Sequence, residues 1–570
     1  MTKRTGRILA CLCTVVVGAC SGSSSGTSSS SSSSSSGAAG SSSSAGIASS
    51  ASTSSGGSRA SSALPPSSSN GGSSQASSVF PPSSSNGGGS SSLAATSSSL
   101  APATSAVSSS SMEAASSSSM EVASSLAAQS SSSTMAPSSS SMMPPAPAWG
   151  VRWGSVTADK GQAVAVQSTG NVVVLGSFTG SVDVGCGPVS TSSTSGSLLL
   201  FALSPSGACV WSRGFTGTGS EPGGVAVDAE DNIVVAGTFS GMLDLGCGTL
   251  TSAGGQDALL ARLDPTGACL WSRAFGDVAA QQGVAVKTGA TGDVVFLGTF
   301  AGAVNLGLGP LTSAGSTDVF LACFSPDGTA MWTERFGDSQ AQTAAALAVS
   351  PTGDVVIAGA FSGTLNLGGG VLVSAGGVDV FLGRFDAQGT ALWSKRLGGT
   401  GEERGLAVAV DAAGNTLLGG TFTSTVDLGG GPLTNAGGVD GFVGKFSPQG
   451  AHLWSRDLGA ASDQAVTALA SDGLGNVVLA GNVTGSVDLG GGPLTSAGGT
   501  DVLVAAYSGD GAHLWSRVLG DAQPQAAQGV AVAQDNSVLL TGSLQGALDD
   551  GTGVLTSAGG QDGIVLHLVP

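Results

Sequence analysis

The chain has 570 residues, 93 of them glycine, and a net charge of −18 carried on only 9% charged residues. An acidic, charge-poor chain without a basic stripe excludes nucleic acid as the main partner, because phosphate binding needs clustered Lys and Arg. Glycine at this level without a Gly-X-Y period excludes collagen and favours a turn-rich β protein.

Residues 1–20 read "MTKRTGRILACLCTVVVGAC". Lys3, Arg4 and Arg7 form a positive start, and Ile8 to Ala19 form an apolar stretch too short to span a bilayer, which takes roughly 20 residues as a helix. This predicts a signal peptide over 1–19. The closing "VGAC" resembles the lipobox of bacterial lipoproteins. The resemblance implies that Cys20 is lipidated and becomes the first mature residue, with the bilayer as partner. Ser21 after it, rather than Asp, implies the outer membrane and the cell surface. Export in turn implies an oxidising compartment for the cysteines of the folded part.

From Cys20 to Ala148 the chain is a serine tract with almost no aromatic or β-branched residues. Such a segment cannot bury enough apolar surface to offset its ordering entropy, so 20–148 is expected to be a disordered tether. As a flexible chain it would span about 60 Å.

The rest, 149–570, is repetitive. Tryptophans at 153, 211, 271, 332, 393, 454 and 515 lie 58, 60 and then four times 61 residues apart. One copy contains "GVAVD" and "NIVVAGTF", short apolar strands joined by an Asp/Asn turn. It also contains "DALLARL" and "ACLWSRAF", joined across "DPTG", where proline and glycine suit a turn. Four strands per copy of about 60 residues, repeated radially, predict an all-β, seven-bladed β-propeller. First strands start near Gln162, Gly224, Gly283, Ala345, Gly405, Ala465 and Gly529. The chain ends on a third strand, "DGIVLHLV" (562–569), and begins on an isolated Trp strand, "WGVRWGSV" (149–156). The N-terminal strand is therefore expected to complete blade 7 and close the ring. The unit resembles the seven-bladed propeller repeat (SBBP) of bacterial surface proteins, and "GLAVAVDAAGN" (405–415) resembles NHL-type propellers. That resemblance implies the fold and brings no catalytic residues with it.

Five cysteines fall in the repeats. Cys186 and Cys247 share one slot ("GCG"), Cys209 and Cys269 another ("GACVW", "GACLW"), and each blade has both or neither. Pairing between blades would strand two of the four, so Cys186–Cys209 and Cys247–Cys269 disulfides are expected, with Cys323 a free thiol.

No catalytic constellation emerges. His452 and His513 share a slot where other copies have Cys or Ala, and His567 stands where others have Arg262, Arg384 and Lys445. Tyr507 takes the place of Phe324, Phe385 and Phe446, which leaves no tyrosine for the sialidase reading that "SPDGTAMW" (325–332) invites. "GSSSG" (22–26) lies in the tether without the strand and helix of a serine-hydrolase elbow, and "GFVGK" (441–445) is followed by Phe446 instead of the Ser or Thr of a P-loop. Two rings of carboxylates recur, one at Asp183, Asp244, Asn305, Asn366, Asp427, Asp488 and Asp549, the other at Asp257, Asp318, Asp379, Asp440, Asp501 and Asp562. Recurrence in nearly every blade assigns them to turn capping. No cofactor is expected. Calcium stays open on composition, although no copy has the spacing of an EF-hand loop.

The connections from fourth to first strands share almost nothing: "TGTGSEPG" (216–223), "DVAAQQ" (277–282), "DSQAQT" (338–343), "GTGEER" (399–404), "AASDQ" (460–464) and "DAQPQAAQ" (521–528). Variable loops on a rigid scaffold are where binding evolves. The candidate binding residues are Glu221, Gln281, Gln282, Gln340, Glu402, Glu403, Arg404, Asp463, Gln523 and Gln525. The leading expectation is a non-enzymatic surface lipoprotein whose propeller recognises a glycan or an envelope protein. A hydrolase or lyase of surface polysaccharide and an outer-membrane assembly scaffold are the alternatives.

Overall fold

The computed structural model describes residues 146–569. The expected signal peptide, the expected lipidation site Cys20 and the expected tether up to 145 lie outside the described residues. The described residues form seven four-stranded antiparallel sheets arranged as the blades of a propeller, six ordered first to fourth strand along the chain and the seventh taking its fourth strand from the first described residues. Blade 2 is typical, with strands Gly217–Val227, Ile233–Asp244, Asp257–Leu263 and Cys269–Phe275. Its second strand starts as "IVVAGTF", an unbroken buried run, because both faces of the middle strands lie against neighbouring blades. Fourth strands alternate instead, since one of their faces meets water.

The hydrophobic core therefore lies between blades. One cluster joins Val173 and Leu200 of blade 1 to Val235, Phe239 and Leu259 of blade 2. Another joins Trp153, Leu539 and Val565 of blade 7 to Val174 and Phe201 of blade 1, which makes the ring continuous.

Closure is as expected, with a shift of boundary. The closing strand is Ala146–Trp153, antiparallel to Asp562–Val569, so it starts three residues earlier and ends at the second tryptophan. The register corrects the repeat count as well. Trp149 faces His567 just as Trp271 faces Arg262 and Trp393 faces Arg384, so the recurring tryptophan of blade 7 is Trp149, not Trp153. Trp153 occupies the slot of Phe275 and Phe336, is fully buried, and meets Phe201 edge-on at 5.0 Å.

The recurring tryptophans join blade to blade. Six of the seven donate the indole Nε1–H to a carbonyl in the turn between third and fourth strands of the next blade: Trp149 to Pro205 (2.8 Å), Trp211 to Pro265 (3.2 Å), Trp271 to Pro326 (2.9 Å), Trp332 to Ala387 (3.0 Å), Trp393 to Pro448 (2.9 Å) and Trp454 to Gly509 (3.1 Å). The turn glycine beneath the ring has no substitute. At Gly389, φ is +83° and a β-carbon would come within 2.9 Å of the Trp332 ring. Buried cations reinforce three of the joints. Arg262 pairs with Asp228 and donates to the Pro326 carbonyl (2.8 Å), Arg384 pairs with Asp354 (2.9 Å) and reaches the Gly414 carbonyl (2.6 Å), and Lys445 pairs with Asp411 and reaches Gly509 (2.9 Å each).

Between second and third strands each blade carries a small hairpin that folds back to the start of the fourth strand. The first carboxylate ring closes its tip: Asp183 Oδ1 accepts from the Gly185 and Gly187 amides at 2.7 and 3.0 Å, and Asp427 does the same for Gly429 and Gly431. In blades 1 and 2 the tip is bonded covalently, through Cys186–Cys209 and Cys247–Cys269, each with a Cα separation of 5.6 Å. Cys323 is a free, buried thiol whose pKa burial pushes up to about 12. Cys269 is thus a staple, and Cys323 is no nucleophile.

Deleting residues 146–153 would leave one edge of the third strand of blade 7 unpaired and Asp562 without Arg152, its ion-pair partner. We expect the shortened chain to aggregate, or to melt at least about 10 °C lower, in calorimetry and size-exclusion chromatography. Unchanged melting would contradict the closure.

Candidate functional site

Antiparallel order places the hairpin-bearing connections and the fourth-to-first connections on one face. At six of the seven junctions the two connections are braced together. The second carboxylate ring supplies one half: Asp257 Oδ2 accepts from the Ala253 amide (3.0 Å), and Asp318, Asp379, Asp440, Asp501 and Asp562 repeat the contact with their own alanines. The first residue of the next blade supplies the other half. Gln281 takes the Asp277 amide on Oε1 (3.1 Å) and donates through Nε2 to Asp277 (2.7 Å) and to the Ala301 carbonyl (2.8 Å), and its own amide bonds the Gln256 carbonyl (2.7 Å). Gln342, Glu403, Gln464, Gln525 and Asp159 occupy the same place, all buried.

This corrects part of the expected binding surface. Gln281, Glu403 and Gln525 are fully buried and hold their loops, so they are not contact residues. The sequence presented them as variable because the loop around them varies. Gln340, Glu402, Asp463 and Gln523 are exposed, with Arg404 half-buried, each on its own blade's connection. Arg404 pairs only locally, with Glu402 at 3.3 Å. Gln282 lines the central channel, and Glu221 lines a groove and pairs with Lys160 at 3.5 Å.

The seventh junction, between blades 1 and 2, lacks the brace. Ser197 stands where other blades have Asp, and Ser220 stands where they have Gln, Glu or Asp. Ser197 Oγ bonds Thr191 Oγ1 at 2.8 Å, and Ser220 Oγ is buried without a partner among the described residues. Two serines fill less space than the carboxylate and amide they replace. Beside this junction lies a groove of about 1020 Å³ that runs over blade 1 and the connection from blade 7, along Ser155–Lys160, Thr179–Ser181, Thr191–Gly196 and Ser220–Glu221. Eleven of its twenty lining residues carry a hydroxyl, and Lys160 and Glu221 supply opposite charges. In its floor Asp159 accepts the Ser155 and Thr179 amides at 2.8 and 2.7 Å; burial outweighs these bonds and raises its pKa, with Asp562 adding to the rise. Sequence reasoning missed this groove. Its signals were the absence of a blade 1 member from the ring of six aspartates, and "STSSTSGS" (190–197) where other copies have "TSAGGQD" or a close variant.

The other residues with chemistry stay apart. His452 and His513 are half-buried, each bonded through Nε2 to a neighbouring serine (Ser455 at 3.1 Å, Ser516 at 3.0 Å), and burial pushes both below the ordinary histidine value. Tyr507 is fully buried, and its hydroxyl donates to the Leu489 carbonyl at 3.1 Å. Among the described residues no three His, Cys, Asp or Glu side chains converge as metal ligands do.

No family model matches the chain. A curated relative, the regulatory protein FlaEY of Caulobacter vibrioides, is 27% identical over 197 residues, which is 33% of this chain. The chain spans about a fifth of that relative's length, 20%. Among solved structures it is similar to a catalytically inactive virginiamycin B lyase of Staphylococcus aureus with quinupristin (7% identity, 74% of this chain and 99% of that one, TM-score 0.37). It is also similar to YCF48 bound to D1 peptide (11% identity, 75% and 99%, TM-score 0.37) and to a putative gluconolactonase (12% identity, 59% and 90%, TM-score 0.30).

Glu403 is the one glutamate in the glutamine slot. Burial raises its pKa, against the lowering effect of bonds from the Gly399 amide (2.8 Å) and Ser424 hydroxyl (3.1 Å), and Asp379 adds to the rise. A carboxyl that binds its proton more tightly folded than unfolded contributes stability at acid pH, and that contribution is lost as pH climbs through the folded value. Glu403→Gln, which restores the residue of its neighbours, should therefore raise the melting temperature at pH 7, by about 2 °C, and change it less at pH 4. Thermal melts at the two pH values check this; a fall at pH 7 contradicts it.

Proposed function

We propose that this protein is an exported, lipid-anchored recognition module whose propeller binds a polar, hydroxyl-rich ligand, a surface glycan, in the groove over blade 1. The observation that carries the reading is a groove lined by hydroxyls beside the one junction of seven that lacks the Asp–Gln brace. Serine and threonine hydroxyls both donate and accept, which suits a ligand made of hydroxyls, and a groove of this size has room for a ligand of drug-like dimensions or larger. The reading is binding without turnover, and the product assay below tests it. The anchor at Cys20 and the 20–148 tether would hold the propeller away from the outer membrane, toward extracellular ligands.

The experiment is a glycan array probed with the full chain and with the double variant Ser197→Asp, Ser220→Gln, followed by a product assay on the hits. The variant rebuilds the brace of the other junctions and should fill the groove. We expect glycan binding by the natural chain, loss of at least about tenfold in the variant, an unchanged or higher melting point, and no released product. Equal binding by both proteins would rule out the groove, and product release would favour a polysaccharide hydrolase or lyase.

A further inference from the structure

The first strands line a central channel of about 260 Å³. In each blade a bulge near the start of that strand leaves one residue out of the ladder, and these residues line the channel. Val284, Ala345 and Leu406 follow one another on one arc, and Gln528 and Gln162 are neighbours on another. The wall is thus apolar on one side and amide-lined on the other.

One channel residue departs from the repeat. Lys287 pairs with Val295, and the same register position in the other six blades is Ala165, Ala226, Ala348, Ala409, Ala470 and Ala531. Six blades close around a methyl group, so packing does not call for a lysine here. The Lys287 side chain is open to the channel, yet among the described residues no carboxylate or hydrogen-bond acceptor partners its ammonium. The channel's other charged residues, Lys160 and Glu221, pair with each other. Lys160 begins its strand while Lys287 is the penultimate residue of its own, so the pair lies toward the opposite end. The surrounding ring desolvates the Lys287 ammonium and pushes its pKa below the ordinary lysine value. Lys287 is thus an exposed cation without a counter-charge at the channel, and an anion entering the channel would supply one.

We propose that the central channel is a binding site for a small organic monocarboxylate, with the Lys287 ammonium as its counter-ion and the Val284–Ala345–Leu406 arc covering its short apolar chain. The volume excludes an oligosaccharide. A single ammonium beside apolar walls suits one carboxylate better than a phosphate, which draws on several donors or charges. The channel shares Lys160 and Glu221 with the groove, at the end away from Lys287, and the proposal does not rest on the glycan reading.

Isothermal titration of the full chain with butyrate at pH 7 tests this, with butyramide as the uncharged isostere. We expect saturable one-to-one butyrate binding, at least about tenfold weaker butyramide binding, at least about tenfold loss in Lys287→Ala, and retention in Lys287→Arg. Lys287→Ala reproduces the alanine of the other blades, so its melting point should be unchanged or higher. The assignment is overturned if butyrate does not bind, if Lys287→Ala binds it equally well, or if that variant melts far lower and the lysine proves structural. It is also overturned if the Ser197→Asp, Ser220→Gln variant loses butyrate binding, which would place the anion in the groove.

Discussion

An indole N–H reaching across to the next blade's turn carbonyl is the contact on which the ring depends. Six such bonds of 2.8–3.2 Å run in one rotational sense, and each ring lies over a glycine whose missing β-carbon lets it approach. A single bond of this kind is worth roughly 1 kcal/mol net. Its larger effect is geometric, because it sets the spacing at which the middle strands of adjacent blades bury their apolar runs. The closing strand is subject to the same constraint. Trp149 must reach Pro205 just as Trp211 reaches Pro265, which makes the first described strand of the chain a part of its last blade.

Two kinds of joint act at the blade boundaries, on opposite faces, each at six of the seven. On one face are the indole bond and, in three blades, a buried cation paired with an aspartate. On the other is the Asp–Gln brace between loops. Because the joints are separate, one can be lost without the other. The junction of blades 1 and 2 keeps Trp211 on Pro265 while Ser197 and Ser220 replace the brace. The ring stays closed and the face opens. Freedom of the same kind exists in the channel, where the wall is apolar on one side and amide-lined on the other and one blade carries Lys287 in place of alanine. Departures from the repeat are thus tolerated where they do not touch the indole joint.

Much of the architecture was legible because the repeat supplies its own alignment. Apolar runs bounded by Asp/Asn and Pro-Gly turns mark the strands, the cysteine slots mark the disulfides, and the unmatched Trp strand marks the closure. The error in the closing strand has a plain cause: Trp149 and Trp153 both fit a period near 60, and only pairing with His567 separates them. Burial within loops was not legible. Gln281, Glu403 and Gln525 sit among polar, variable neighbours, and nothing local distinguishes a glutamine that braces two loops from one that faces water. Lys287 was legible only in register, since counting along "GVAVK" from a first strand does not show that six other blades place alanine against the same partner position.

The most direct test of this account compares Trp149→Phe with Trp332→Phe, each keeping an aromatic ring and removing only the indole donor. The two joints are built alike, so thermal unfolding should show the same loss for both, about 1 kcal/mol. A loss at Trp332 with none at Trp149 would contradict the claim that the N-terminal strand closes the ring through the same joint as the other blades.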